Sequence, residues 1–185
     1  MKPLFALGLL CLLLPARGEA MAADSFTIVR AELLKQDKGY ALRADVDYRF
    51  TAPVLKALRN GVPLTLVAQV KVMRPRRLWP DDTLAEERLR YRLRYHALAK
   101  LYQVQTEESG IQQNFVSLPA ALAALGRVRH PLDLKGVQVY LGQNYPVRLR
   151  VFLELEDLPL PLRTVAYFTP RWHLRSAWHA WTYAE

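Results

Sequence analysis

The chain has 185 residues, 51% of them hydrophobic and 23% charged, a balance that excludes intrinsic disorder and fits a single domain. One cysteine excludes an intrachain disulfide framework and a cysteine-rich metal site, and no apolar run reaches the ~20 residues of a membrane-spanning helix. The formal charge of +9 points to an anionic partner, although arginine outnumbers lysine 19 to 7, a bias that genome base composition alone can produce.

Residues 1–22 have the layout of a cleaved secretory signal. Lys2 supplies a minimal positive start, Leu4 to Leu14 an apolar core, Pro15 a helix break, and Ala20-Met21-Ala22 a small-x-small cleavage site. Cleavage is expected after Ala22, with Ala20 as the alternative site and an uncleaved inner-membrane anchor as the alternative fate. Leu10 before Cys11 argues against a lipid anchor. Cleavage removes Cys11 and leaves a chain without thiols, 23–185, expected in the periplasm as one domain. For such a protein nucleic acid is not the expected anion.

The mature part reads mainly as strands. Phe26 to Leu34 and Tyr40 to Phe50 alternate apolar and polar residues around an Asp37-Lys38-Gly39 turn, the pattern of a half-buried antiparallel hairpin. Val62 to Met73 and Tyr145 to Leu155 repeat that alternation. Leu89 to Leu101 holds one parity throughout and is long enough to require a bulge or bend near Ala97. Shorter strands are expected at Ile111 to Val116 and Val137 to Leu141. Two brief helices follow Thr51 and Ser117 as caps, with Pro53 and Pro119 in their first turns and Gly61 and Gly126 as stops. Leu158-Pro159-Leu160-Pro161-Leu162 reads as an extended, rigid link. Trp172 to Trp181 reads as a closing strand with Trp172, Leu174, Ser176 and Trp178 inward, a helix being the alternative. These elements predict an all-β, antiparallel two-sheet sandwich, immunoglobulin-like or Greek-key, with two short helices; a closed barrel is the alternative.

The most unusual pattern is Arg88, Arg90, Arg92 and Arg94. On a strand these share one face at ~6.6 Å intervals and form a cationic rail of ~20 Å suited to phosphate or carboxylate. Asp45, Asp47, Glu154 and Glu156 also lie on polar strand faces and could neutralise it. A second candidate is the loop from Arg74 to Asp82, where Arg74, Arg76 and Arg77 precede Trp79, either a binding surface or a proline-stiffened connection. His173 and His179 stand ~20 Å apart on an extended chain, too far to share a metal, and His96 and His130 are isolated in sequence. Ser25, Ser109, Ser117 and Ser176 sit in no nucleophile context, and glycine-rich phosphate loops are absent. No catalytic residue, metal site or cofactor is expected. A glycan or lipid hydrolase is the enzymatic alternative, since paired carboxylates need not be close in sequence.

Several short stretches then form a familiar series: Phe26 and Ile28, Gly61-Val62-Pro63-Leu64-Thr65-Leu66, Leu93-Arg94-Tyr95-His96-Ala97-Leu98, Leu158-Pro159-Leu160-Pro161-Leu162-Arg163 and Trp172-His173-Leu174-Arg175-Ser176-Ala177-Trp178. Together they resemble the exported proteobacterial proteins grouped as the domain-of-unknown-function family DUF4390, over nearly the whole mature chain. The resemblance implies no activity and no catalytic residue. A gene neighbourhood with a membrane sensor kinase of the nitrogen-regulation type makes an accessory role at that kinase a further expectation. The leading expectation is a non-catalytic module that contacts an acidic envelope component or protein through Arg88 to Arg94 and the Arg74 to Trp79 loop.

Overall fold

The computed structural model describes residues 26–37, 39–76, 82–132 and 144–184. Its chain order is β1 (Phe26–Gln36), β2 (Gly39–Tyr48), α1 (Ala52–Arg59), β3 (Leu64–Arg74), β4 (Asp82–His96), β5 (Leu101–Thr106), β6 (Gln112–Phe115), α2 (Leu118–Leu125), β7 (Arg127–Leu132), β8 (Asn144–Glu154), α3 (Leu160–Phe168), a single 3-10 turn at Pro170–Trp172, and β9 (His179–Ala184). The strands form two antiparallel sheets, ordered β1-β2-β7 and β6-β5-β4-β3-β8-β9. Neither closes on itself, so the arrangement is the expected sandwich and not a barrel. Strands β3 to β6 run as a meander, and β8 returns to the other side of β3.

Alternation makes the layers. Leu64, Leu66, Ala68, Val70 and Val72 of β3, Leu89, Tyr91 and Leu93 of β4, and Val147, Leu149, Val151 and Leu153 of β8 face inward. They join Phe26, Leu42, Ala44, Val46 and Val128 of the smaller sheet in one buried cluster. Tyr40 of β2 meets Tyr183 of β9 edge to face at 5.5 Å, a contact between the sheets. β3, in the middle of the larger sheet, is buried on both faces, with Thr65, Val67 and Gln69 covered from outside. No helix among the described residues is long and apolar enough to cross a membrane.

Several local expectations need correction. The break expected near Ala97 is there, but as a full reversal and not a bulge within one strand: the chain turns at 97–100, where Lys100 takes a positive φ of 53°, and β4 and β5 pair as a hairpin. Thr51 does not cap α1 with its side chain; its hydroxyl donates to the carbonyl of Arg171 at 2.7 Å and ties α1 to the 3-10 turn. Ser117 does cap α2, accepting from the amide of Ala120 at 3.3 Å. Gly126 ends α2 with an ordinary helical φ of −68°; its value lies in close approach, since its carbonyl accepts from Val46 N–H at 2.8 Å and a Cβ would strike that strand.

The Leu-Pro-Leu-Pro segment is not an extended link. Pro159 caps α3 and Pro161 occupies its first turn, where a missing N–H costs nothing, and Leu162 and Arg163 both donate to the Pro159 carbonyl at 2.9 Å. The closing segment is only partly a strand. Trp172, Leu174 and Ser176 are buried as expected, but Trp172 ends the 3-10 turn, Arg175 makes an isolated bridge to Phe152, and Trp178 is 39% exposed. β7 has no counterpart among the expected strands, and the strand expected at Val137 to Leu141 lies outside the described residues.

Candidate functional site: the outer face of the larger sheet

Pairing of β4, β3 and β8 brings together side chains far apart in sequence. Inward packing of Leu89, Tyr91 and Leu93 turns Arg88, Arg90, Arg92 and Arg94 outward, as the alternation predicts. Across β3 the register sets Arg88 beside Gln69 and Gln69 beside Arg150; one row along, Arg90 faces Val67 and then Phe152; next, Arg92 faces Thr65 and then Glu154. In the other direction Glu86 faces Lys71, and Lys71 faces Arg148. The outer face is thus a grid of charges whose two halves differ.

The Arg90 half is neutralised. Its Nε donates to Glu107 at 2.8 Å and one Nη to Asp157 at 2.6 Å, while Glu154 stands 3.8 Å from the other Nη. Arg92 donates to the second oxygen of Glu107 at 2.5 Å. Glu108 accepts from the backbone N–H of Arg90 at 2.9 Å, and Glu107 N–H returns a bond to the Arg90 carbonyl. Burial works against the Arg90 charge, but the bond to Glu107 and the charges of Asp157 and Glu107 outweigh it and raise the pKa. Of the four carboxylates expected to face the ladder, only Glu154 does; Asp45 pairs with Arg129 and Asp47 with Arg49.

Among the described residues, the Arg150 half is short of negative charge. Arg150 donates to Gln69 Oε1 at 2.8 Å, and its Nε is buried without a hydrogen-bond partner. Its guanidinium carbon lies 4.6 Å from the ring centre of Trp178 and 5.1 Å from that of Phe152, and Lys71 Nζ stands 5.9 Å from Trp178. Loss of water, then the like charges of Arg175 and Arg88, push the Arg150 pKa down. The local carboxylate is Glu86, which holds Lys71 at 3.0 Å and Arg88 at 3.5 Å and accepts from Gln69 at 2.5 Å. Those bonds, first from Lys71 and then from Gln69, lower its pKa against the opposing effect of burial. Beside this cluster a cavity of about 290 Å³ is lined by Arg150, Phe152, Tyr167, His173 and Arg175.

The remaining candidates divide. Arg94 is exposed at the far end of the ladder and has no ion pair among the described residues. Arg74, the last residue of β3, and Arg76 beyond it are exposed, and Arg76 is held by Asp82 at 2.7 Å; Arg77 and Trp79 lie outside the described residues. His96 bonds to Gln103 at 3.1 Å. No group of three or more metal-ligating side chains occurs among the described residues. A second cavity, of about 400 Å³, opens beside β5, α2 and β7 and includes Tyr91, Ser109, Arg127 and His130. Burial and then the charge of Glu108 push the Tyr91 phenol up to about 12, so it stays protonated at neutral pH. Sequence reasoning missed Lys71, Arg148, Arg150, Arg175 and Trp178. Arg148 and Arg150 do alternate visibly with the apolar residues of β8, but their adjacency to Arg88 depends on strand order.

No curated protein and no solved structure matches the chain. A family model described as Domain of unknown function (DUF4390) matches residues 23–182. That span takes in every described strand but the last two residues of β9, and the chain belongs to this family.

Proposed function

We propose that the protein is an exported, non-catalytic binding module of the periplasm that holds an acidic envelope component on the outer face of its larger sheet. The observation that carries this reading is the imbalance around Arg150: Arg88 and Arg175 crowd its charge, Lys71 and Arg148 stand one row along, and Glu86, the carboxylate placed in this half among the described residues, is held by Lys71 and Arg88. A guanidinium with a buried, unpartnered Nε and unfavourable like-charged neighbours gains most from an incoming phosphate, sulfate or carboxylate. Trp178 adds a flat apolar contact. The Arg90 half supports the sheet instead, because its charge is already met.

An acidic surface on a sensor-kinase ectodomain is one form such a partner could take. The hydrolase reading draws no support from the carboxylates that do converge, Glu107, Glu154 and Asp157, since Arg90 engages all three. The test is elution from an immobilised polyanion along a salt gradient. Replacing Arg88 and Arg150 together by Gln should lower the eluting salt strongly, whereas Arg92→Gln should lower it only slightly. Equal shifts for the two variants would reject the assignment to the Arg150 half.

A further inference from the structure

The solvent side of α3 has the wrong polarity for a surface helix. At 100° per residue Leu160, Pro161, Thr164, Val165, Tyr167 and Phe168 fall on one side, and Ala166, buried, with Leu162 on the other. Leu160 is 73% exposed, Val165 55%, Tyr167 47% and Phe168 85%. Thr164, the polar residue of that face, turns its hydroxyl back to the Leu160 carbonyl at 3.3 Å, and Thr169 does the same to Val165 at 2.8 Å. Arg163 folds away to donate to the Leu158 carbonyl at 3.1 Å. Apart from the Tyr167 hydroxyl, the face therefore asks little of water: its threonine hydroxyls are bonded to its own backbone.

Its surroundings are cationic. Tyr167 lines the same cavity as Arg150, His173 and Arg175, and Arg171 is exposed just beyond the helix end. An apolar helix face bordered by arginines is the arrangement that settles into the headgroup region of an acidic bilayer. We infer that the acidic component is a lipid surface: α3 lies in the interface of an anionic membrane with Leu160, Val165 and Phe168 among the acyl chains and the Arg150 cluster on the headgroup phosphates. This rests on the reading of the basic face given above. The size of the patch favours lipid over protein. A helix of this length presents a face of roughly 13 by 10 Å, far below the ~800 Å² each partner contributes to a stable protein interface, whereas a few inserted side chains with electrostatic help suffice for a membrane.

The experiment is flotation of the chain from residue 23, which holds the whole core cluster and the start of the family match, with vesicles of phosphatidylcholine alone or mixed with phosphatidylglycerol. The wild type should float with the mixed vesicles and not with the neutral ones. Leu160→Ser with Phe168→Ser should weaken flotation about tenfold or more while leaving elution from the polyanion unchanged. Arg150→Gln with Arg175→Gln should weaken both. Both serine positions are exposed, so the fold is retained, and an unchanged circular dichroism spectrum checks this. Wild type held by the polyanion but not by acidic vesicles would overturn the lipid inference and leave the basic-face reading standing. Loss of polyanion binding in the wild type would remove both. Undiminished flotation of the serine variant, or a wild-type dimer that this variant dissolves, would also overturn it.

Discussion

The two halves of the larger sheet's outer face hold the same kind of residue to opposite ends. Around Arg90, two arginines meet Glu107, Glu154 and Asp157, and each cation has a carboxylate within a hydrogen bond. Around Arg150, a guanidinium of the same chemistry finds an amide, two aromatic rings and other cations. The difference lies in what the loops bring back. The turn after β5 carries Glu107 onto β4 and the turn after β8 carries Asp157, while the segment that returns past Arg150 carries Arg175 and Trp178. A row of arginines in sequence therefore specifies a face, but the connections decide which part of it is met by carboxylates.

The comparison breaks most decisively at Arg90. Arg90→Met keeps much of the apolar stem but leaves Asp157 without its guanidinium and Glu107 with only Arg92. These side chains are partly exposed, so solvent relieves some of the loss, and a destabilisation of about 1–2 kcal/mol is expected. Urea unfolding should show a lower midpoint with an unchanged slope, and polyanion elution should barely move. A stability equal to wild type would show that the Arg90 network is no more than surface decoration.

How much of this was legible in the sequence follows from the range over which each signal acts. Alternation is local, and so β1, β2, β3, β8 and the outward set of the arginine ladder could be read directly. The inward set of the closing segment could be read as far as Ser176, because an extended chain keeps parity even where it is not a regular strand; Trp178 departs from it to stack on Arg150. α3 was hidden because Pro159 and Pro161 look like breaks, although both occupy positions where a helix tolerates proline, and because its outward side chains are apolar and give no amphipathic contrast. The Arg150 cluster was hidden for another reason. Its members come from β3, β4, β8 and the segment before β9, and only the order β4-β3-β8-β9 makes them neighbours.

Arg150 provides the converse test. Arg150→Met removes the charge whose Nε has no partner and keeps a stem that can lie against Trp178 and Phe152, at the loss of one bond to Gln69. Stability should change by about 1 kcal/mol or less, since the relief of a desolvated charge offsets the lost bond. Denaturation of this variant beside Arg90→Met should separate the two halves. A larger loss at Arg150 than at Arg90 would invert the division of labour.

The smallest effect, and the one that sharpens the contrast most, lies at Glu86. Hydrogen bonds from Lys71 and Gln69 hold its pKa below the ordinary value of 4.5, so the folded state favours the ionised form. A carboxylate depressed in this way stabilises the fold fully above the unfolded value, and the contribution fades as the pH falls through the folded one. Glu86→Gln should therefore lower stability slightly at neutral pH, with the wild-type and variant curves converging in acid below that value. The same change takes away the carboxylate that restrains Lys71 and Arg88, so the variant should leave the polyanion at higher salt than wild type. Weaker retention would mean that Glu86 organises the cationic cluster more than it neutralises it, because Lys71 and Arg88 would then need its two oxygens to stay in place beside Arg150.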